Sequence, residues 1–324
     1  MKPFQADLRA HDLKPFMQRS DVQATALLLV NIALIGFAVW LPIYSFHPVS
    51  LLVSIVILGN RQLGLGILMH DCAHRALFKS PKLNDWVGKF LCAAPILAQF
   101  EGYRKYHLKH HAKAGTVEDP DYPNYQHYPV KRPSLLRKLG RDLVGLTGLK
   151  NLYFLLMMHA GFIPYDMAYK QTDVVTRPSP TEALKNIVKE LWPALVFHFS
   201  FVALLLLNDS LWAYSLWWIA YFTTFQLFSR VRNAAEHASV PDLLDADPRR
   251  HARTVYAGWL ARLTVAPNHV NYHIEHHWIP SAPPYQLPKL HAYLKANRLL
   301  DSAEVLPSYS QVIRSLYHPK PESL

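Results

Sequence analysis

Eighteen of the 324 residues are histidine, and nine of these fall into four short clusters. The first is His70-Asp-Cys-Ala-His74 and the second is His107-Leu-Lys-His110-His111. The third is Asn233-Ala-Ala-Glu-His237 and the last is His273-Ile-Glu-His276-His277. On a helix, positions i, i+3 and i+4 share one face, so each cluster aims its imidazoles, or its Asn and imidazole, in one direction. Imidazoles crowded together repel one another when protonated, so the arrangement makes sense chiefly with a cation between them. A single pair at i, i+4 arises often by chance in a chain this rich in histidine. Two copies of HxxHH plus an HxxxH do not. Imidazole ligates Zn, Fe, Cu and Ni, and nine of them exceed the needs of one ion and suit two. The spacing therefore predicts a two-metal site drawn from His70, His74, His107, His110, His111, His237, His273, His276 and His277. By chemistry alone zinc is as admissible as iron.

Around the clusters, Asp71, Glu236 and Glu275 are placed to accept from the distal ring N–H of an imidazole, whereas Asp119 and Asp121 read as loop residues. His11, His47, His127, His159, His251, His291 and His318 stand isolated. His198 lies alone in an apolar run and is expected to be a hydrogen-bonded interior residue. His269, four residues before His273, is expected beside the ligand set, not in it. Cys72 and Cys92 form no CxxC pair, which excludes a thiolate zinc site and argues against a structural disulfide.

The elements that must hold these clusters follow from where the charge is absent. Hydrophobic residues make up 51% of the chain and charged residues only 18%, below the usual quarter, and the charges avoid positions 20–60 and 191–229. Such segregation excludes a disordered chain and a small disulfide scaffold. Crossing a bilayer takes roughly 20 apolar residues. Residues 24–46, 50–69, 191–207 and 211–228 supply four such runs, joined in pairs by PIYSFHPV and NDS. The expected fold is all-α and integral to the membrane: four transmembrane helices in two hairpins, with a cytoplasmic helical cap at 71–190 and 230–324. The whole of 1–324 is expected to form a single domain. The first apolar run is too long for a signal peptide. Neither short join carries Lys or Arg, so the basic regions share one side, the cytoplasm by the positive-inside rule. The net charge of +11 then belongs to membrane flanks and anionic lipid headgroups, not to nucleic acid. Trp86 to Ala98 and Leu152 to Pro164 are apolar but too short to cross, and read as interfacial or re-entrant helices.

With its boxes HDCAH, HLKHH and HIEHH in this order around two hairpins, the chain resembles the membrane-bound fatty acid desaturase family of di-iron desaturases and hydroxylases. The likeness extends to HDCAHRALFKSPKLND and NYHIEHHWIPSAPPYQLPKLH and covers roughly residues 50–310. It implies a mushroom-shaped molecule with two irons per chain at the cytoplasmic side. One iron would take His70, His74, His107, His111 and His276; the other would take His110, His237, His273 and His277, with Asn233 holding a catalytic water beside it. The implied reaction is O2-dependent desaturation of a fatty acyl chain. The apolar substrate is expected in a tunnel lined by Trp217, Trp218, Tyr221, Phe225 and residues 61–69, and Arg61 would meet a headgroup or backbone. No haem domain, flavin site or GxGxxG fingerprint is visible, so electrons are expected from a separate ferredoxin or cytochrome b5 with its reductase. Arg104, Lys105, Lys109 and Lys113 would suit such an acidic donor. Without a fused donor or a retention signal, a bacterial inner membrane is the expected location. Within the class, a carotenoid hydroxylase or ketolase, or terminal alkene or alkyne formation, would use the same centre. A membrane receptor or metal-handling protein with a His-held zinc is the alternative from a different class.

Overall fold

A computed structural model of the chain describes residues 12–168 and 177–318; His11 lies outside them. The described residues are mostly helical, and three helices are long and apolar enough to cross a membrane. Helix α1 (Asp21–Tyr44) starts at Ser20, whose side chain accepts from the Gln23 amide. Helix α2 (Pro48–Ala73) starts at His47, where Nδ1 accepts from the Val49 amide at 3.2 Å and Ser50 Oγ accepts from the His47 amide. These local bonds compress the join to three residues, so α1 and α2 pack along each other as a hairpin. The apolar run of α2 continues without a break into the first histidine cluster, so the spanning helix itself carries His70, and His74 caps it.

Helix α2 is the central element. Leu58, Leu65 and Leu68 are fully enclosed, whereas α1 turns Leu29, Val30, Phe37 and Trp40 outward, the pattern of a lipid-facing helix. Several polar side chains inside this layer find partners. Gln62 donates to the Trp217 carbonyl at 2.9 Å, and Asn31 donates to Asn268 Oδ1 at 3.0 Å. Arg61 is buried and donates to Asn60 Oδ1 at 2.8 Å and Asn31 Oδ1 at 3.2 Å, so it meets side-chain amides instead of a headgroup.

After α2 come α3 (Pro81–Val87) and a wide helical turn at Gly88–Ala93, reversed at Leu97 by a positive φ of 59°. Helix α4 (Phe100–Lys113) carries the second histidine cluster. Helices α5 (Arg132–Leu143) and α6 (Leu146–Ala160) are bent by 69° at Gly145, whose φ of +84° needs the freedom of glycine. Helix α7 (Pro180–Leu206) begins eleven residues before the expected 191, because Ser179 and Glu182 form a reciprocal capping box.

The expected fourth span, 211–228, is divided. A short turn at Leu211–Ala213 leads into α8 (Tyr214–Phe222), and the helix breaks at Thr223 before α9 (Thr224–His237). Hydroxyls cause the break: Thr223 Oγ1 bonds back to the Ile219 carbonyl, and Thr224 Oγ1 reaches across to the Ile55 carbonyl at 2.8 Å. Gly59 permits that approach, since a Cβ there would stand 2.1 Å from Thr224 Oγ1. Phe46 of the first join and Trp212, two residues past the second, meet edge to face at 5.2 Å, so the two joins lie near each other. Beyond α9, besides short helical turns, come α10 (His273–Trp278), α11 (Leu287–Ala296), α12 (Tyr309–Ser315) and one short parallel strand pair, β1 (Thr254–Val255) with β2 (Val305–Leu306). This pair is the only regular exception, among the described residues, to the all-α expectation.

Candidate metal centre

Four helices deliver the nine histidines. Helix α2 and its cap bring His70 and His74, α4 brings His107, His110 and His111, the last residue of α9 is His237, and α10 brings His273, His276 and His277. Side chains tie these ends together. Arg104 of α4 donates to the Ala73 carbonyl at the end of α2 at 3.2 Å and pairs with Asp85. Asn84 accepts from the Leu77 and Phe78 amides and fixes the turn that follows His74. Behind α10, the fully buried Glu275 accepts from His291 Nδ1 at 2.6 Å and from Thr254 Oγ1 at 2.6 Å, which pins α10 to α11 and β1.

The imidazoles converge with their Nε2 atoms inward. His70, His74, His107, His111 and His276 form one group whose candidate ligand atoms all lie within 4.8 Å of one another. His110, His237 and His277 form a second. His273 joins the second cluster at its edge, with Nε2 2.9 Å from His237 Nε2 and 3.1 Å from His277 Nε2. His110 Nε2 lies 3.4 Å from His277 Nε2. The outward nitrogens meet acceptors: His70 Nδ1 and Asp71 at 2.9 Å, His110 Nδ1 and Asp119 at 2.8 Å, and His237 Nδ1 and the His251 carbonyl at 2.8 Å. His273 Nδ1 lies 3.4 Å from Glu236, which is also paired with Arg232. A proton held at Nδ1 leaves the lone pair at Nε2, so each anchored ring presents its ligating atom to the interior.

Electrostatics favour the same state. Burial, reinforced by neighbouring imidazoles, pushes His107, His111, His237, His273, His276 and His277 well below the ordinary histidine range, and His74 to about 3. They are neutral, the form that ligates a metal. Burial also lowers His110, but the hydrogen bond it donates to Asp119 and the charges of Asp121, Asp119 and Glu236 outweigh it and leave this ring raised. Acids that favour a proton at its Nε2 would equally favour a metal cation there. Burial lifts Glu236 to about 8 against the pull of Arg232. Among the described residues, Nε2 of His70 and of His74 are buried without a hydrogen-bond partner. Orphaned, inward-facing nitrogens in such a cluster fit a divalent cation, and all-nitrogen donors suit iron or zinc.

Several other acids and rings stand differently from the sequence expectation. Asp119, read as a loop residue, anchors His110, while Asp121 stands 3.7 Å from the same nitrogen and holds Tyr106. Glu275 serves His291 and not a clustered histidine. His251, read as isolated, gives its carbonyl to His237 and lies 5.3 Å from the His277 ring. His269 falls outside both groups and faces Tyr272 at 6.5 Å. His198 bonds Tyr214 and stacks on Trp218, as an interior residue should.

An apolar cavity of about 220 Å³ opens beside the cluster. His70, Tyr103 and Asn233 line it at the metal side, and Leu63, Gly66, Tyr221 and Phe225 line it away from there. Tyr103 stacks on the His107 ring at 5.3 Å. Trp217 and Trp218, expected in the lining, do not border it; Trp217 is wholly enclosed against Phe197 and Phe201. Of the expected basic face, Arg104 is turned inward and Lys113 pairs with Glu118, which leaves Lys105 and Lys109 exposed.

Histidines gathered at helix ends next to an apolar cavity describe a candidate metal centre open to apolar ligands. The chain belongs to the fatty acid desaturase family, whose profile, described as fatty acid desaturase, matches residues 45–305. It is 24% identical over 315 residues to the sn-1 oleoyl-lipid 12-desaturase of Synechocystis sp., covering 90% of this chain and 83% of that one. It is 26% identical over 250 residues to the dihydrorhizobitoxine desaturase of Bradyrhizobium elkanii, with 73% and 65% covered. A shorter match, 33% identical over 110 residues, is to the sn-1 acyl-lipid omega-3 desaturase (ferredoxin) of Synechocystis sp., with 32% and 29% covered.

Proposed function

We propose that this chain is an O2-dependent desaturase of lipid acyl chains, working with two irons held by nine histidines. The observation that carries this reading is the convergence of inward Nε2 atoms in two adjoining groups against the wall of an apolar cavity. Bound there, the iron pair supplies oxidising power, drawn from O2 and donated electrons, to remove two hydrogens from neighbouring unactivated carbons. The protein's own part is positioning and exclusion. Asp71, Asp119 and the His251 carbonyl hold Nδ1 protons and so aim three of the rings. Leu63, Gly66 and Phe225 give the acyl chain an apolar path that ends at His70. Asn233 stands at the shared wall of the cavity and the cluster, where it holds a water. Tyr103, stacked on His107, closes the site against bulk solvent.

In this reading α8 and the start of α9 together make the fourth, broken span, and the Lys- and Arg-rich segments form a cytoplasmic cap that holds the metal site. Adjacent short joins support that hairpin arrangement. Electrons come from a separate ferredoxin or cytochrome b5 type donor, approaching past Lys105 and Lys109, and the relative named for ferredoxin favours the former. The location is a bacterial inner membrane.

Expression in a host of characterised lipid profile, followed by location of new double bonds by mass spectrometry, tests the activity. Metal analysis of the purified protein should find two irons per chain, and His110→Ala should lose both metal and product. A new oxygenated carotenoid with unchanged acyl chains, or a single zinc with no dependence on O2, would refute the proposal.

A further inference from the structure

Asn60 and Arg61 are buried polar residues in the middle of the apolar α2, and the metal centre uses neither. They hold a stretch of chain far away in sequence. Asn60 Nδ2 donates to the Thr264 carbonyl at 2.6 Å and lies 3.4 Å from the Arg262 carbonyl, to which Arg61 Nη2 comes within 3.5 Å. We infer that residues 256–268 are a re-entrant segment sunk into the lipid leaflet on the histidine side, with Trp259, Leu260 and Leu263 against lipid chains and with Asn60 and Arg61 as its anchors. The inference rests on α1 and α2 crossing the membrane, and not on the reaction.

The depth follows from α2. At about 1.5 Å per residue, Asn60 lies about 15 Å from His70 along the helix axis, within the apolar run 50–69. Asn31 lies within the apolar run of α1 and donates to Asn268, which donates in turn to the Gly64 carbonyl at 2.9 Å. A Cβ at Gly64 would stand 2.3 Å from Asn31 Oδ1, so glycine is what lets the three segments meet. Asn268 and His269 take φ of 54° and 62° and turn the chain back towards α10. The segment thus leaves from β1 and returns to α10 on the same side.

Side chains and backbone both suit that medium. Trp259, Leu260 and Leu263 are 75%, 59% and 42% exposed, a contiguous apolar face that a water-facing loop rarely keeps. Val265 and Ala266 pack the other way, with Leu63 and Ile67 of α2 and Phe228 and Val231 of α9. Alongside, α1 turns Leu29, Val30 and Ile32 outward around Asn31, so the lipid-facing surface continues from helix to segment. Hydrocarbon offers no water to stray main-chain groups, so backbone at this depth needs internal partners. Every carbonyl from Ala257 to Arg262 has one. Those of Gly258, Trp259 and Ala261 accept from amides inside the segment, and that of Leu260 accepts from Thr264 Oγ1 at 2.7 Å. Arg262, the single charged residue of 256–268, folds back to donate Nε to the Ala257 carbonyl at 3.2 Å. The Arg262 carbonyl is left to Asn60 and Arg61, which accounts for two polar residues inside a spanning helix.

The test reads depth, without turnover. Full-length Leu29→Cys, Leu260→Cys, Leu263→Cys and Ser302→Cys variants are labelled with a nitroxide and placed in phosphatidylcholine vesicles. Cys72 and Cys92 are fully buried, and wild type taken through the same labelling gives the background. Collision of each nitroxide with O2, which concentrates in lipid, is compared with collision with a water-soluble nickel chelate. Labels at 260 and 263 should favour O2 as the label at 29 does, whereas the label at the exposed Ser302 should favour nickel. With Asn60→Ala added, the label at 260 should shift towards nickel while the label at 29 keeps its value, which shows that α1 stays in place. Nickel-dominated collision at 260 or 263 without that change, or a label at 260 that keeps its lipid reading with it, would overturn the proposal. Because the label at 29 reports the span itself, failure of the span reading is separable from failure of the segment.

Discussion

Replacing Asp119 by Asn isolates the anchoring of one imidazole. Asp119 accepts the Nδ1 proton of His110 at 2.8 Å, and its carboxylate is the main influence opposing the burial of that ring. The same Oδ1 also accepts the Asp121 amide at 2.8 Å, a bond that an Asn can keep, so the loop should hold its shape. What is lost is charge and the preference for an Nδ1 donor. Outer partners of ligating histidines are worth about 10- to 100-fold in metal affinity, equivalent to about 1.4–2.8 kcal/mol. Only the group of His110, His237 and His277 should feel it, because the five-histidine group has its own anchor at Asp71. Dialysis against graded chelator, followed by metal analysis, should therefore show one metal leaving at lower chelator concentration and the other leaving as in the wild type. Asp121→Asn is the control: at 3.7 Å from Nδ1 it should shift the curve much less. If both metals loosen together, or if Asp121→Asn matches Asp119→Asn, the two-group architecture is wrong.

Asn233→Ala should lower turnover by about 10- to 100-fold while retaining both metals, checked by product analysis beside metal content; complete metal loss would place Asn233 among the ligands. Gly66→Leu should fold, because a Cβ there meets only Ile96 Cδ1 at 3.7 Å, but its side chain would enter the acyl cavity. Turnover of the longest acyl chains should fall about 10-fold relative to shorter ones, measured by competition between chain lengths. Gly59→Ala should cost about 1–3 kcal/mol, since the new methyl meets Thr224 Oγ1 at 2.1 Å and the Phe225 backbone at 2.8 Å. Thermal denaturation in detergent reads that loss, and an unchanged Tm would show that α9 can shift away from α2.

The histidine clusters were legible because helical spacing puts each set on one face, and α2, α4, α9 and α10 present them so. The first two apolar runs were equally legible, since α1 carries no charge after Asp21 and α2 only Arg61 before its histidine cluster, and local bonds cap both. The break at Thr223 was not. Nothing in a run of apolar residues shows which hydroxyl will take a carbonyl from its own helix, and Thr224 spends its own on Ile55, far away in sequence. The early start of α7 was written in Ser179 and Glu182, but the charges of that first turn masked it as cap. Asp119 escaped because it stands past the end of α4, where periodicity no longer says which way a side chain points. The links from His251 to His237 and from His291 to Glu275 arise only when distant segments fold together.

Helix α10 is six residues long, yet it supplies His276 to one histidine group and His277 to the other. Both groups thus share one helix, the last of the four histidine-bearing helices to be synthesised. A ribosome that has made α2 and α4 has already made four of the five histidines of the first group, but the fifth is some 160 residues away. An ion captured early would have an incomplete cage and an open side. On the proposed two-metal reading neither cage is complete until residues 273–277 have been made, so a chain truncated before residue 273 would lack ligands of both groups.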